Sequence, residues 1–207
     1  MNIFLTCLEM LGTLAFAASG AMVGIKKKMD IFGIAMLGVM TAVGGGVIRD
    51  IVLGVFPPAT FRHPQYAVSA IAVSIIIFLP FVRKRADHSS PLFDKILLIA
   101  DSIGLGVFTV NGIKAAVDAG FGKNIFLLIF VGVITGVGGG VLRDIMAGER
   151  PYIFVKHVYA CASLLGAVIC ILLYNFVGME AGMAVGCAAV FILRLCSAKF
   201  QWSLPKA

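Results

Sequence analysis

Residues 38–54, GVMTAVGGGVIRDIVLG, and residues 132–148, GVITGVGGGVLRDIMAG, decide the fold of this chain. They align without a gap and agree at twelve of seventeen positions, too many for chance. Beyond them the same offset of 94 pairs Pro57 with Pro151, Arg62 with Lys156 and His63 with His157. Ahead of them an offset of 92 pairs Glu9 with Asp101, Gly12 with Gly104, Phe16 with Phe108, Ser19 with Asn111 and Gly20 with Gly112. The chain is a duplication, with repeat 1 over about 4–82 and repeat 2 over about 94–176.

The solvent of that duplication is lipid. Of 207 residues, 60% are hydrophobic and 13% charged, where soluble domains average about 45–50% and about 25%; the mean hydropathy is +1.04. Apolar segments at about 4–25, 31–55, 64–82, 94–117, 124–147, 154–176 and 179–198 are each long enough to cross about 30 Å of hydrocarbon. The expected fold is an all-α membrane protein of seven transmembrane helices in a single domain, 1–207. Each repeat holds three spans, and because three is odd the second copy enters the membrane inverted. The seventh helix stands outside the repeat. Nothing before Lys26 is basic, so the first span reads as a retained helix and not a cleaved signal peptide.

Lys26, Lys27, Lys28, Arg83, Lys84, Arg85, Lys95, Arg150, Lys156, Lys199 and Lys206 fall on one side of that topology, against Arg62 and Lys123 on the other. The positive-inside bias therefore predicts the N-terminus outside and the C-terminus in the cytoplasm. Pro57, Pro58, Pro64, Pro91 and Pro151 lie at or beyond span ends, where a missing N–H costs little. The net charge of +7 points to lipid as partner, since no basic stripe of the kind that binds nucleic acid is visible. Cys7, Cys161, Cys170, Cys187 and Cys196 are scattered without CxxC or Cys/His spacing and read as small core residues, with no metal or cofactor site. No GxSxG, P-loop or HExxH motif occurs, and His63 and His157 occupy equivalent loop positions away from any nucleophile. An enzyme is not expected.

The repeated motif carries the chemistry. Gly44, Gly45, Gly46 and Gly138, Gly139, Gly140 sit near the bilayer midplane, and each glycine costs about 1 kcal/mol relative to alanine in a helix. One role is a weak point where the second and fifth spans kink or unwind, freeing carbonyls that favour a cation. The other is close helix packing. Three residues on come Arg49-Asp50 and Arg143-Asp144, charges that must face a polar interior or a partner. The pseudo-two-fold axis can bring Arg49 near Asp144 and Arg143 near Asp50, either as a structural lock or with carboxylates also facing a permeating species.

Lys114 breaks the symmetry, since repeat 1 has Met22 at its place. It either snorkels to the interface or gates a pore as a charge that feels the membrane potential. Thr41 with Thr135, and Ser19 with Asn111, supply neutral oxygens able to replace hydration water, although such residues also bond their own backbone. Glu9 and Asp101 lie near the starts of the first and fourth spans, where either can stabilise a helix N-terminus.

The doubled GGGV(I/L)RD motif in a 3+3+1 inverted repeat resembles the prokaryotic trimeric intracellular cation (TRIC) channels, and the related bacterial membrane family with a glycine-transporter label. The resemblance runs from about residue 4 to 198. It implies a homotrimer in a bacterial or archaeal plasma membrane, one pore per subunit, kinked second and fifth helices and passage of potassium or sodium ions between them. It also implies a voltage response at Lys114; of the basic connection between the first two helices that serves lipid binding in animal members, only Lys26-Lys27-Lys28 is present here. The alternative is a secondary transporter of a small zwitterion such as glycine, whose carboxylate and ammonium the Arg-Asp pairs would suit.

Overall fold

The computed structural model describes residues 3–80, 91–155 and 158–202. In chain order the helices are α1 (Ile3–Lys26), α2 (Ile31–Val52), the short α3 (Ala59–Arg62), α4 (Gln65–Phe78), α5 (Pro91–Ala116, extended by a π turn Val117–Phe121), α6 (Ile125–Met146), the short α7 (Tyr152–Val155), α8 (Tyr159–Val177) and α9 (Met179–Lys199). No strand occurs among the described residues. Six helices are long and apolar enough to cross a membrane: α1, α2, α5 with its π turn, α6, α8 and α9. The 14 residues of α4 rise about 21 Å. The expected end of that third span at 82, the basic Arg83, Lys84 and Arg85, and Lys156, His157 and Lys206 lie outside the described residues.

The two copies begin and end their central helices with the same local chemistry. Asp30 caps α2 by accepting from the Gly33 N–H (2.7 Å), and Asn124, 94 residues on, caps α6 by accepting from Leu127 N–H (3.1 Å). At the other end Gly54 (φ 69°) and Gly148 (φ 67°) turn the chain in the left-handed region. There the Val55 and Glu149 N–H groups reach back to the carbonyls of Asp50 and Asp144, each at 2.8 Å. A methyl at either glycine would meet nothing within 4 Å. It is the backbone angle that requires glycine.

Packing follows the duplication. α1 lies on α2, α5 on α6, and α2 crosses α6 at the centre; α4 lies on α1 and α2 as α8 lies on α5 and α6. α9 packs on α8 and α5, and so covers only repeat 2. Of the apolar window of Pro91–Phe121, 78% is buried, against 33% of that of Ile3–Lys26.

The unwinding expected at the glycine triplets does not occur, and α2 and α6 run unbroken through them. The triplets let two backbones touch instead. A Cβ on Gly45 would collide with the Thr135 carbonyl oxygen, and one on Gly139 with the Thr41 carbonyl oxygen. The helical hydrogen bonds stay made while the Cα atoms of one helix rest on carbonyls of the other.

Candidate functional site

Past the crossing, each Arg-Asp pair forms the same clamp. Arg49 Nε donates to Asp50 Oδ1 (2.8 Å), and Asp50 Oδ2 accepts from the Ala59 N–H (2.7 Å) at the start of α3. Arg143 Nε donates to Asp144 Oδ1 (2.9 Å), and Asp144 Oδ2 accepts from the Tyr152 N–H (2.8 Å) at the start of α7. Each aspartate thus ties the end of its long helix to the short helix that follows the loop. The cross-repeat pairs Arg49 with Asp144 and Arg143 with Asp50 do not form. α2 and α6 are antiparallel and cross at Gly45 and Gly139, so the pairs four to five residues on lie about 13 Å apart along the membrane normal.

The guanidinium edges beyond the clamp meet different fates. In repeat 2, Arg143 is fully buried, and its Nη1 donates to Ser19 Oγ and to Asp101 Oδ1, both at 2.5 Å. Its guanidinium lies 4.8 Å over the Tyr152 ring. Asp101 Oδ2 faces Arg194 Nη2 of α9 at 3.7 Å, and Arg194 lies 4.7 Å over the Tyr159 ring. A methyl on Gly140 would stand 2.6 Å from the Tyr159 hydroxyl. Two arginines and two aspartates therefore balance in a buried knot. Asp101 is no helix-start residue, because α5 begins at Pro91 and places it in the third turn as the counter-ion of Arg143.

In repeat 1 the same place is a cavity of about 320 Å³, bordered by Glu9, Gly46, Arg49, His63, Tyr66 and Asn111. Glu9 Oε2 accepts from the Tyr66 hydroxyl at 2.5 Å, so this carboxylate too serves a side chain and not a helix end. The Arg49 side chain is 10% exposed, and among the described residues neither of its Nη groups has a hydrogen-bond partner. The bottom of the cavity meets Phe108, whose ring packs at 5.3 Å on its repeat mate Phe16.

A second cavity of about 500 Å³ opens at the opposite face, bordered by Lys26, Lys27, Asp144, Glu149, Arg150 and Tyr152. Lys27 pairs with Glu149 there, and Lys26 with Asp94 at 3.2 Å. Between the cavities stand the Phe16–Phe108 pair and the Arg143 knot.

Gly44, Gly45, Gly138 and Gly139 serve the crossing, Gly46 borders the first cavity, and Gly140 is covered by Tyr159. Thr41 and Thr135 are buried and donate to the carbonyls of Leu37 and Val131, both at 2.6 Å, so their hydroxyls face their own helices. Ser19 belongs to the knot and Asn111 to the cavity. Lys114 stands apart from both, its ammonium holding Asp118 at 2.5 and 2.7 Å. Arg194, Tyr152 and Tyr159 were not expected. The signal for Arg194 was present, a charge in the interior of the seventh apolar segment, whose other charge, Glu180, lies at its start. Among the described residues no cluster of three or more His, Cys, Asp or Glu could hold a metal.

A family model described as a glycine transporter matches residues 6–81 and 98–175, one match per repeat. The chain is 36% identical over 200 residues to the UPF0126 inner membrane protein YadS of Escherichia coli, covering 96% of this chain and 93% of that one. It is 35% identical over 198 residues to the UPF0126 membrane protein YvgT of Bacillus subtilis, covering 96% and 94%. Among solved structures it is similar to a prokaryotic TRIC channel crystallised in 0.5 M KCl, with a TM-score of 0.89 at 32% identity over 99% of this chain and 100% of that one. The TRIC orthologue from Rhodobacter sphaeroides gives a TM-score of 0.87 at 34% identity over 97% and 100%.

Proposed function

We propose, given that the chain belongs to the UPF0126 membrane-protein family, that it is a monovalent-cation channel of the bacterial plasma membrane, conducting potassium or sodium. One observation carries the reading: two cavities bordered by charged residues open at opposite faces, one on each side of the pseudo-two-fold axis of the inverted repeat, with the Phe16–Phe108 pair and the Arg143 knot between them. An ion path needs that wet access from both sides and a short dry gate. The likeness to cation channels over nearly the whole chain supports it.

In this reading the protein is a homotrimer with one pore per subunit between α2 and α6. The N-terminal face, with Glu9 and His63, is outside, and the Lys26–Lys28 face is cytoplasmic, where the lysines meet lipid headgroups. Glu9 draws cations into the outer cavity. Asp50 and Asp144, with both oxygens engaged, hold the loops and leave the arginines as the charges beside the path. Opening separates Phe16 from Phe108 and loosens Arg143 from Ser19 and Asp101.

A second reading is favoured by one feature. The outer cavity sets a carboxylate, Glu9, beside a guanidinium, Arg49, which suits a small zwitterion and agrees with the family description. Recording the purified protein in a planar bilayer separates the two. Discrete current steps carried by potassium or sodium support the channel; uptake of glycine into proteoliposomes without current steps supports the transporter and refutes it.

A further inference from the structure

We infer that Glu9 is a two-position carboxylate: on Tyr66 it leaves the outer half of the path open, and on Arg49 it closes that half. The inference deepens the channel reading and takes its physiological meaning from it, but its geometry comes from the protein's own second copy.

The closed half shows what the arginine edge takes. Arg143 Nη1 holds one carboxylate oxygen and one neutral oxygen, from Asp101 and Ser19. The repeat mates of these three groups are Arg49, Glu9 and Asn111, and all three border the one outer cavity. The parts of a second knot are therefore present and apart. Arg49 carries the clamp to Asp50 as Arg143 does to Asp144; its side chain as a whole is nine-tenths buried, and its Nη edge is unpartnered among the described residues.

What differs is the group that holds the carboxylate. Tyr66 donates to Glu9, while its mate 94 residues on is Ala160, which has no donor. In the closed half no hydroxyl donates to the second carboxylate oxygen, since the nearby Tyr159 hydroxyl makes no hydrogen bond among the described residues, and Arg194 from the seventh span adds a second cation on the knot's side. In the outer half the competition is built in. The Tyr66 hydroxyl and the Arg49 edge border the same cavity as the Glu9 carboxylate, whose side chain is one methylene longer than the aspartate at its place in the closed half. With Glu9 on Arg49 and the Asn111 amide oxygen in the place of the Ser19 hydroxyl, the polar walls of the cavity are tied together and the path is shut from outside.

The test compares wild type, Tyr66→Phe, Glu9→Gln and the double variant as folded protein in potassium-containing bilayers. Removing a hydrogen bond to a charged group shifts an equilibrium by about ten- to hundredfold. Tyr66→Phe is expected to lower the open fraction by about that factor. Tyr66→Phe with Glu9→Gln is expected to return it to the wild-type level, because glutamine brings no charge to Arg49. An unchanged open fraction in Tyr66→Phe, or a double variant as closed as Tyr66→Phe, overturns the inference. A second readout needs no current. Thr60 borders the outer cavity, and alkylation of Thr60→Cys by a membrane-impermeant maleimide, followed at that position by mass spectrometry, should slow in Tyr66→Phe and not in Glu9→Gln. Equal rates, or slowing in Glu9→Gln, refute the switch. Wild type without current steps refutes the channel reading alone, since the alkylation rates still decide between the two positions of Glu9.

Discussion

Alanine substitution along the two glycine triplets separates close packing from flexibility, because the three positions of each triplet meet different surroundings. A methyl on Gly45 meets the Thr135 carbonyl, and one on Gly139 the Thr41 carbonyl, backbone atoms that cannot rotate aside. Overpacking of this kind costs about 1–3 kcal/mol, offset by about 1 kcal/mol from alanine's better helix propensity. Gly45→Ala and Gly139→Ala are each expected to lose up to about 2 kcal/mol. A methyl on Gly46 meets only Arg49 Nη2, at 3.9 Å, so Gly46→Ala should keep the propensity gain of up to about 1 kcal/mol. Gly140→Ala meets the Tyr159 hydroxyl at 2.6 Å and should destabilise where its mate does not.

The two central clashes share one remedy, a small separation of α2 from α6. Once one substitution has pushed the helices apart the second has room, so Gly45→Ala with Gly139→Ala should lose less than the sum of the two by about 1 kcal/mol. Thermal unfolding in detergent reads these differences, at about 2–4 °C per kcal/mol for a chain of this size. If Gly46→Ala proves as damaging as Gly45→Ala, or the double variant is additive, the triplets act through flexibility and the packing argument fails.

Asp144→Asn should destabilise the protein by about 3–5 kcal/mol, because the buried knot of two arginines and two aspartates is left with one positive charge uncompensated, and its effect should add to that of Arg49→Gln because the two sites lie on opposite sides of the crossing; coupling between them in a thermal-unfolding cycle would contradict the observed clamps. Arg194→Met leaves the knot one positive charge short, and single-channel recording should show a higher open fraction as the inner half loosens; an unchanged open fraction would remove α9 from gating. Lys114→Gln breaks an i,i+4 pair with Asp118 whose side chains are 22% and 60% exposed, so unfolding temperature should move little. If Lys114 senses voltage, its loss should flatten the open-probability curve by no more than the about 2.3 kcal/mol per 100 mV of one charge, and superimposable curves would exclude it.

The duplication, its inversion and the places of the glycine triplets and Arg-Asp pairs were legible because twelve identities in seventeen survive any uncertainty about helix ends. The partners within the site were not. Symmetry pointed to Arg49 with Asp144, but pairing depends on depth, and depth is set by where two helices cross, which Gly45 and Gly139 reveal only once the Thr135 and Thr41 carbonyls are seen against them. The same three glycines suit a break and a contact equally well by composition. The groups that distinguish the two halves are positions where the copies differ, Tyr66 against Ala160 and Gln65 against Tyr159, and an alignment read for its identities passes over them.

The knot around Arg143 also bears on the order in which the chain is made. Arg143 draws on Ser19, 124 residues earlier, and on Asp101, 42 residues earlier, together with its neighbour Asp144. Arg194, the last buried charge to leave the ribosome, meets an Asp101 already in place. A guanidinium entering lipid alone is costly, and here neither late arginine does so, because each carboxylate that receives it has been synthesised before it or next to it. Supplying helix α9 as a separate polypeptide made before the rest of the chain would reverse that order for Arg194, sending the cation into the bilayer before its anion.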